Sequence, residues 1–403
     1  MAKNSSEVKR TALEEKTKIF LWGMTAGRCE ICNKLLYIDS KFGDTANFAE
    51  NAHIHAVGKN GPRHVDEMSK EEINKIENLM LLCAEHHHLI DTKPENYPDN
   101  TLIDCKKHHE ERIRKITEIQ DDASCKIVTF FSNIDNVEIF SAEMLLKRAV
   151  VKANLYPRQD APISLDEGSQ TRYIPTKENL VEKANELEYQ IKQAFNGIVK
   201  RNEVIAIFSL APQPLLFKLG TLISDQLNVQ VFQCHREGEK WSWPENEFTR
   251  IKYLIKKTCD KSEETVAMVI DLSAQIIDNR VTVVLGDECT IFHLTIESPN
   301  RLFVKNKKIQ DDFVKSFRSL MEQIKNEYPN ADKIHVFPAM PNSLAIRAGM
   351  DIMPKVDLPI VIYDVLSAGN EFTETIEIGG VLCFKAFSRS EKNSSISKGA
   401  SGI

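Results

Sequence analysis

No apolar run in the 403 residues is long enough to cross a membrane as a helix. Positive charge is not in surplus either. The formal net charge is −6, so no overall field draws nucleic acid to the chain, and any such contact falls to a local patch. A disulfide framework is excluded by spacing: of nine cysteines only Cys29 and Cys32 form a close pair. Cys105, Cys125, Cys234, Cys259, Cys289 and Cys383 are scattered and read as small buried hydrophobes. Met1 to Ala12 is mostly polar and lacks the apolar stretch of a signal peptide. The expected location is a reducing cytoplasm, where thiolate zinc sites survive. Histidine is scarce late in the chain: eight of eleven lie before residue 110, leaving His235, His293 and His335 isolated. Imidazole chemistry is therefore expected early. Apolar (42%) and charged (27%) contents are those of an ordinary soluble protein, and the length predicts two or three domains.

What is present is concentrated between Cys29 and Asp91. Cys29 and Cys32 can chelate one soft metal from a single turn. Cys83 and His86 repeat the two-residue gap and complete a tetrahedral structural zinc site. Other groups are then surplus to it. His53 ends a predicted strand over Asn47–His55, with His55 on the same side. His87 and Asp91 lie four apart on one helix face and could hold a divalent cation. Asn78 could orient a base histidine or shape the loop. Phosphodiester hydrolysis needs an activated water and a cation to stabilise phosphate charge, and a neutral imidazole suits the base role. His64 and His88 read as surface residues. Ser69 with Glu72 is a capping-box signature. A charged helix over Cys105–Ile119 carries Lys106, Lys107, Arg112, Arg114 and Lys115; it reads as a solvated face or a phosphate-contacting one.

From about residue 176 helices alternate with apolar strands. Strands are expected at 203–210, 229–233, 266–272, 281–285, 333–337 and 359–363. Helices are expected at 180–199, 214–224, 252–259, 310–326 and 344–350. Strands apolar on both faces and separated by helices predict a parallel-sheet α/β fold. Two strand–loop–helix units share an Ala/Pro loop, at Ala211–Pro214 and Pro338–Pro341. That hints at two related halves with ligands at the strand carboxyl ends. Pro212 and Ala339 sit in those loops, and Ser273 occupies a similar strand end. Trp241, Trp243 and Phe337 could stack on bases, and Arg236 and Lys240 could meet phosphate. The tryptophans equally suit core or interface anchors.

Two resemblances follow from these residues. Cys-x-x-Cys, Ala52-His53-Ile54, Gly61-Pro62-Arg63, Asn78-Leu79 and Cys83-x-x-His86-His87 with Ile90-Asp91 resemble an HNH endonuclease of the ββα-metal type. The resemblance implies His53 as general base, Asn78 as the family asparagine, and His87 and Asp91 as ligands of Mg²⁺ or another divalent cation. Asp91 stands where a histidine is usual. Ala52 occupies a position that often carries a ligand, which leaves the base open between His53 and His55. Leu210–Leu216, Leu219-Gly220, Ser224-Asp225, Trp241-Ser242-Trp243 and His335–Pro341 resemble a SAVED domain, implying two fused Rossmann-like (CARF-like) modules that bind a cyclic oligonucleotide.

Together they resemble the Cap5 type of CBASS antiphage effector. The expected organisation is an HNH domain at 1–120, a connector at 121–165, a SAVED sensor at 166–390 and a disordered tail at 391–403. The implied function is a bacterial cytoplasmic endonuclease, activated by a cyclic di- or trinucleotide, that degrades double-stranded DNA. It would work as a homo-oligomer, dimeric or higher on activation, without a membrane. The rivals are a constitutive restriction-type endonuclease and a non-catalytic zinc-bearing module.

Overall fold

The computed structural model describes residues 13–39, 41–120, 123–133, 137–165, 175–195, 203–223, 227–244, 249–366 and 371–379. The expected polar lead-in, Ser224-Asp225, Cys383 and the tail from 391 lie outside them. The chain divides into two compact units after Gln120. No helix among the described residues is long and apolar enough to cross a membrane.

The first unit runs α1 (Glu15–Thr25), β1 (Ala49–His53), α2 (Lys70–Ile73), β2 (Leu79–Cys83), α3 (Ala84–Thr92) and α4 (Asp99–Thr117). β1 and β2 are antiparallel, with His53 opposite Leu79. β2 reads Leu-Met-Leu-Leu-Cys and is buried along its whole length, as a two-faced apolar run requires. It forms a small core with Leu21, Leu36, Ile54, Ile90 and Leu102. The Ser69 capping box forms: Ser69 N donates to Glu72 Oε2 at 2.9 Å and Glu72 N donates to Ser69 Oγ at 3.2 Å. The charged helix α4 uses several cations internally. Lys106 is buried against Glu110 and Glu30, Arg112 donates to Asn33, and Arg114 lies 3.8 Å from Glu118. Lys106 and Arg112 are thereby withdrawn from any phosphate-contacting face, while Arg114 stays exposed.

The second unit runs β3 (Ser124–Phe131), α5 (Val137–Ser141), α6 (Glu143–Lys152), β4 (Tyr156–Pro157), β5 (Ile163–Leu165), α7 (Lys177–Phe195), β6 (Val204–Leu210), α8 (Gln213–Ile223) and β7 (Val229–Phe232). It continues with β8 (Tyr253–Cys259), β9 (Val266–Asp271), α9 (Asp278–Leu285), β10 (Thr290–Ile296), α10 (Lys307–Glu327), β11 (Ile334–Ala339), α11 (Asn342–Asp351), β12 (Ile360–Val365) and β13 (Phe372–Ile378). One sheet is parallel in the order β4-β3-β6-β7, with β5 also on β3. The other has the order β13-β12-β11-β9-β10-β8 and is mixed, because β13 and β8 are antiparallel edges on a parallel centre.

Three expectations change. Residues 121–165 do not tether two domains: β3 is buried and pairs with β6 from Cys125↔Val204 to Phe131↔Leu210, inside the second unit. Lys252–Cys259, expected as helix, is strand β8, whose Tyr253–Ile255 side packs inward while Lys256 and Lys257 face water at a sheet edge. Val281–Leu285, expected as strand, ends helix α9. Its β-branched run favours a strand, but only Val281 is buried, so a single apolar stripe meets the sheet. The missing strand is β10, hidden in the sequence by the polar His293 within it.

Helices α8 and α11 cross at glycines. A Cβ on Gly220 would stand 2.2 Å from Ile346 O, and one on Gly349 would stand 2.1 Å from Phe217 O. Backbones meet there without side chains between them.

His293 is buried between two carboxylates, with Nε2 2.8 Å from Asp278 and Nδ1 3.4 Å from Asp271. Burial opposes the imidazolium, but the two carboxylates outweigh it and hold the pKa above its ordinary value. A raised folded pKa stabilises fully below the unfolded value of roughly 6.5 and fades as pH rises through the folded one. We expect His293→Gln to destabilise the second unit more at pH 6 than at pH 9. Equal losses in urea melts at both pH values would refute the ion pairing.

Candidate functional site

The first site is built by a turn and a helix start. Cys29 N donates to Lys34 O and Asn33 N to Cys29 O, a tight knuckle in which Asn33 takes a left-handed φ of 62°. Cys83 closes β2 and caps α3, and His86 sits in the first turn of that helix. The donor atoms of Cys29, Cys32, Cys83 and His86 all lie within 4.8 Å of one another. Cys83 Sγ is 3.2 Å and Cys29 Sγ 4.0 Å from His86 Nδ1, and Cys32 and Cys83 sulfurs are 3.9 Å apart. Zinc bonds of about 2.0–2.3 Å at tetrahedral angles separate such donors by roughly 3.5–3.8 Å, so the set fits a closed, structural ion. Desolvation and the neighbouring Cys29 push the Cys32 thiol up to about 11. A cation at the centre would reverse that.

The knuckle is braced from behind. Glu30 is buried, accepts Leu81 N at 2.5 Å, and faces Lys106 Nζ at 3.7 Å. Burial pushes its pKa up to about 7 against the pull of Lys106. Sequence reading missed Glu30; its signal was a charged residue placed inside a Cys-x-x-Cys turn.

The surplus groups fall in two places. His55 Nδ1 lies 3.0 Å from Arg63 O. A carbonyl only accepts, so Nδ1 carries a proton, and in the neutral ring Nε2 holds the lone pair. His53 Nε2 is 3.2 Å from Asn74 Oδ1. Asn78 is 5% exposed and touches neither imidazole nitrogen in these bonds. Its Oδ1 accepts His55 N at 2.9 Å, and its Nδ2 donates to His55 O and Ile73 O. It clamps the backbone that presents His55.

On α3, His87 Nε2 is 3.5 Å from Asp91 Oδ2, and His87 Nδ1 is 3.8 Å from Glu50 Oε2 on β1. Glu50 is two residues before Ala52 on the same strand face, and sequence reading did not single it out. Among the described residues the Cys29–Cys32–Cys83–His86 group is the sole cluster of three or more such ligands. The structure thus brings His87 and Asp91 together, and among the described residues neither His53 nor His55 joins them in a cluster of three ligand atoms within 4.8 Å. His64, expected at the surface, is mostly enclosed, with Nδ1 3.0 Å from Ala56 O.

In the second unit a cleft of about 340 Å³ opens beyond the end of β7. Arg236 and Trp243 line it, with Lys152, His235, Arg301 and Lys305. His235 meets the Trp243 ring edge-on at 5.5 Å. Arg301 and Lys305 were not expected; they follow the carboxyl end of β10, where strand-end logic should have sent the search. Lys240 is not among the lining residues; its carbonyl accepts His235 N at 2.6 Å. Pro212 precedes α8. Ser273 N donates to Ala339 O at 2.7 Å, joining the ends of β9 and β11.

Two stacking candidates have no free face. Trp241 is 2% exposed, packs edge-on against Phe208, and donates Nε1–H to Phe140 O at 2.8 Å. Phe337 is fully buried between Tyr363 and Phe372. Both are core residues, whereas Trp243 is half-buried.

Residues 187–378 match the SAVED family, described as the SMODS-associated and fused to various effectors sensor domain. Residues 29–93 match an HNH endonuclease family. No curated protein matches the chain. Among solved structures it is similar to the Acinetobacter baumannii Cap4 SAVED/CARF-domain containing receptor, at 14% identity and a TM-score of 0.41, covering 76% of this chain and 63% of that one. The same receptor with the cyclic trinucleotide 3'3'3'-cAAA gives 13% identity and 0.42, covering 78% and 67%. The Moraxella osloensis Cap4 receptor gives 15% and 0.37, covering 68% and 54%. The chain spans less than two thirds of the first of these.

Proposed function

We propose that this chain, an HNH nuclease domain fused to a SAVED domain, is a DNA endonuclease switched on by a cyclic oligonucleotide, of the Cap5 type in CBASS antiphage defence. The observation that carries the reading is the match of one compact unit to an HNH endonuclease and of the other to a SAVED sensor. The Cys29–Cys32–Cys83–His86 site holds structural zinc and keeps a small unit folded. We take His55 as the base because a backbone carbonyl holds its Nδ1 and leaves Nε2 to take a proton from water; His53, held by Asn74 Oδ1 at 3.2 Å and matched by the family resemblance, is the alternative. Asn78 holds the base loop, and His87 and Asp91, with Glu50 beside them, hold the divalent cation. When bound, that cation supplies charge to stabilise the phosphate. In the second unit the Arg236, Arg301 and Lys305 cations suit phosphates, and Trp243 suits a base. Ligand binding would change subunit assembly and align HNH domains on double-stranded DNA.

The test is cleavage of plasmid DNA with Mg²⁺ against a panel of cyclic di- and trinucleotides. We expect cutting only with one of them, and a loss of about 10²–10⁴-fold in His55→Ala. Robust cutting without any nucleotide favours a constitutive endonuclease. No cutting under any condition favours a non-catalytic zinc module. Unchanged mass in solution with the activating ligand would refute assembly on activation.

A further inference from the structure

Arg63 belongs to the loop marked by Gly61-Pro62, and nothing above gives its side chain a role. The side chain is 8% exposed, a demanding place for a guanidinium. Its backbone takes a left-handed φ of 53°, a conformation that non-glycine residues adopt only when the surroundings hold them there. Nε donates to Ile54 O at 2.8 Å, in the segment just after β1 that carries His55. Nη1 donates to Ile90 O at 2.8 Å and to Tyr97 O at 3.3 Å, closing the last turn of α3. Nη2 makes no hydrogen bond and stands 4.0 Å from Asp91 Oδ1. The same residue's carbonyl receives the His55 Nδ1 proton at 3.0 Å.

One residue therefore touches the base histidine, the segment after β1 that presents it, and the helix that carries His87 and Asp91. We propose that Arg63 is a positioning residue of the nuclease site, a strut that fixes the His55 loop and the cation-binding helix in one frame. A helix cap alone would need only the bonds to Ile90 and Tyr97. The bond to Ile54 O and the approach to Asp91 have no part in capping. The inference rests on the reading of His55 as base, so its test must separate the two.

The test uses the intact chain as Arg63→Ala and Arg63→Lys, labelled with ¹⁵N-histidine, with His55 assigned by the signal lost in His55→Gln. Zinc content and far-UV circular dichroism report folding. Lysine keeps the charge but cannot reach Ile54 O and Ile90 O together. We expect wild type to show His55 protonated at Nδ1, and both variants to lose that tautomer while keeping zinc. Cleavage should fall about 100-fold in both, the scale of a misplacement near 1 Å. The tautomer measurement needs neither cation nor activator, so it stands apart from the nuclease reading. A wild-type tautomer with cleavage within threefold of wild type in Arg63→Lys overturns the strut. Full cleavage by His55→Gln overturns the base assignment instead, while a lost tautomer in the Arg63 variants would still uphold the strut.

Discussion

Removing the metal from Cys29, Cys32, Cys83 and His86 should unfold the first unit and leave the second folded. The core around β2 is small, and Cys29 and Cys83 belong to both the core and the metal site. An ion held there would tie a turn near residue 30 to a helix start near residue 86, closing a loop of over fifty residues whose closure otherwise opposes folding. Structural zinc binds with about 10–16 kcal/mol of apparent free energy, comparable to or above the roughly 5–15 kcal/mol that stabilises a whole domain. Cys83→Ser should therefore lose zinc and show one melting transition where wild type shows two. Glu30 and Lys106 lose their frame in the same event, since Glu30 sits between two ligands. If the variant keeps both transitions at their wild-type temperatures, the site is not what holds the unit together. A chelator should reproduce the variant's behaviour in wild type, and zinc should restore the first transition.

The metal site was legible because its signal is local: two pairs with a fixed gap leave little freedom in where four donors can meet. The buried strands were legible for a similar reason, since β6, β9 and β12 are apolar runs broken only near their carboxyl ends, by Ser209, Asp271 and Asp364. Misreadings occurred where tertiary context outweighs local preference. Val281–Leu285 is β-branched yet helical, because only one of its faces meets the sheet. Trp241 and Phe337 had the chemistry of stacking platforms, but burial is a property of neighbours such as Phe208 and Tyr363, and sequence does not carry it. Lys106 and Arg112 looked like a solvated basic face, and their partners Glu30 and Asn33 lie far away in sequence. Arg63 was visible as part of the Gly61-Pro62-Arg63 motif, but the partners of its side chain were not, because they are backbone carbonyls, which every residue has.

Gly220→Val should destabilise the second unit by about 3–5 kcal/mol and weaken ligand binding as well. On propensity alone, replacing a helix-interior glycine with alanine favours the helix by about 1 kcal/mol. Packing reverses the sign here. The added Cβ would meet Ile346 O at 2.2 Å, Met350 N at 2.7 Å and Gly349 Cα at 2.8 Å, all backbone atoms with no rotamer to yield. The two helices must separate, and they carry the loops at the strand ends. Gln213 Nε2 in α8 donates to Met340 O at 3.0 Å, and Ser343 Oγ in α11 donates to Gln233 Oε1 at 2.6 Å. Gln233 lines the cleft with Arg236 and Trp243, so a shift at the crossing reaches the candidate ligand site. Gly220→Ala and Gly349→Ala should each destabilise, and the double variant should lose less than their sum, because the first methyl already parts the helices. Urea melts of the second transition measure all three. Additive losses, or a stabilised Gly220→Ala, would show that the helices do not cross at these glycines.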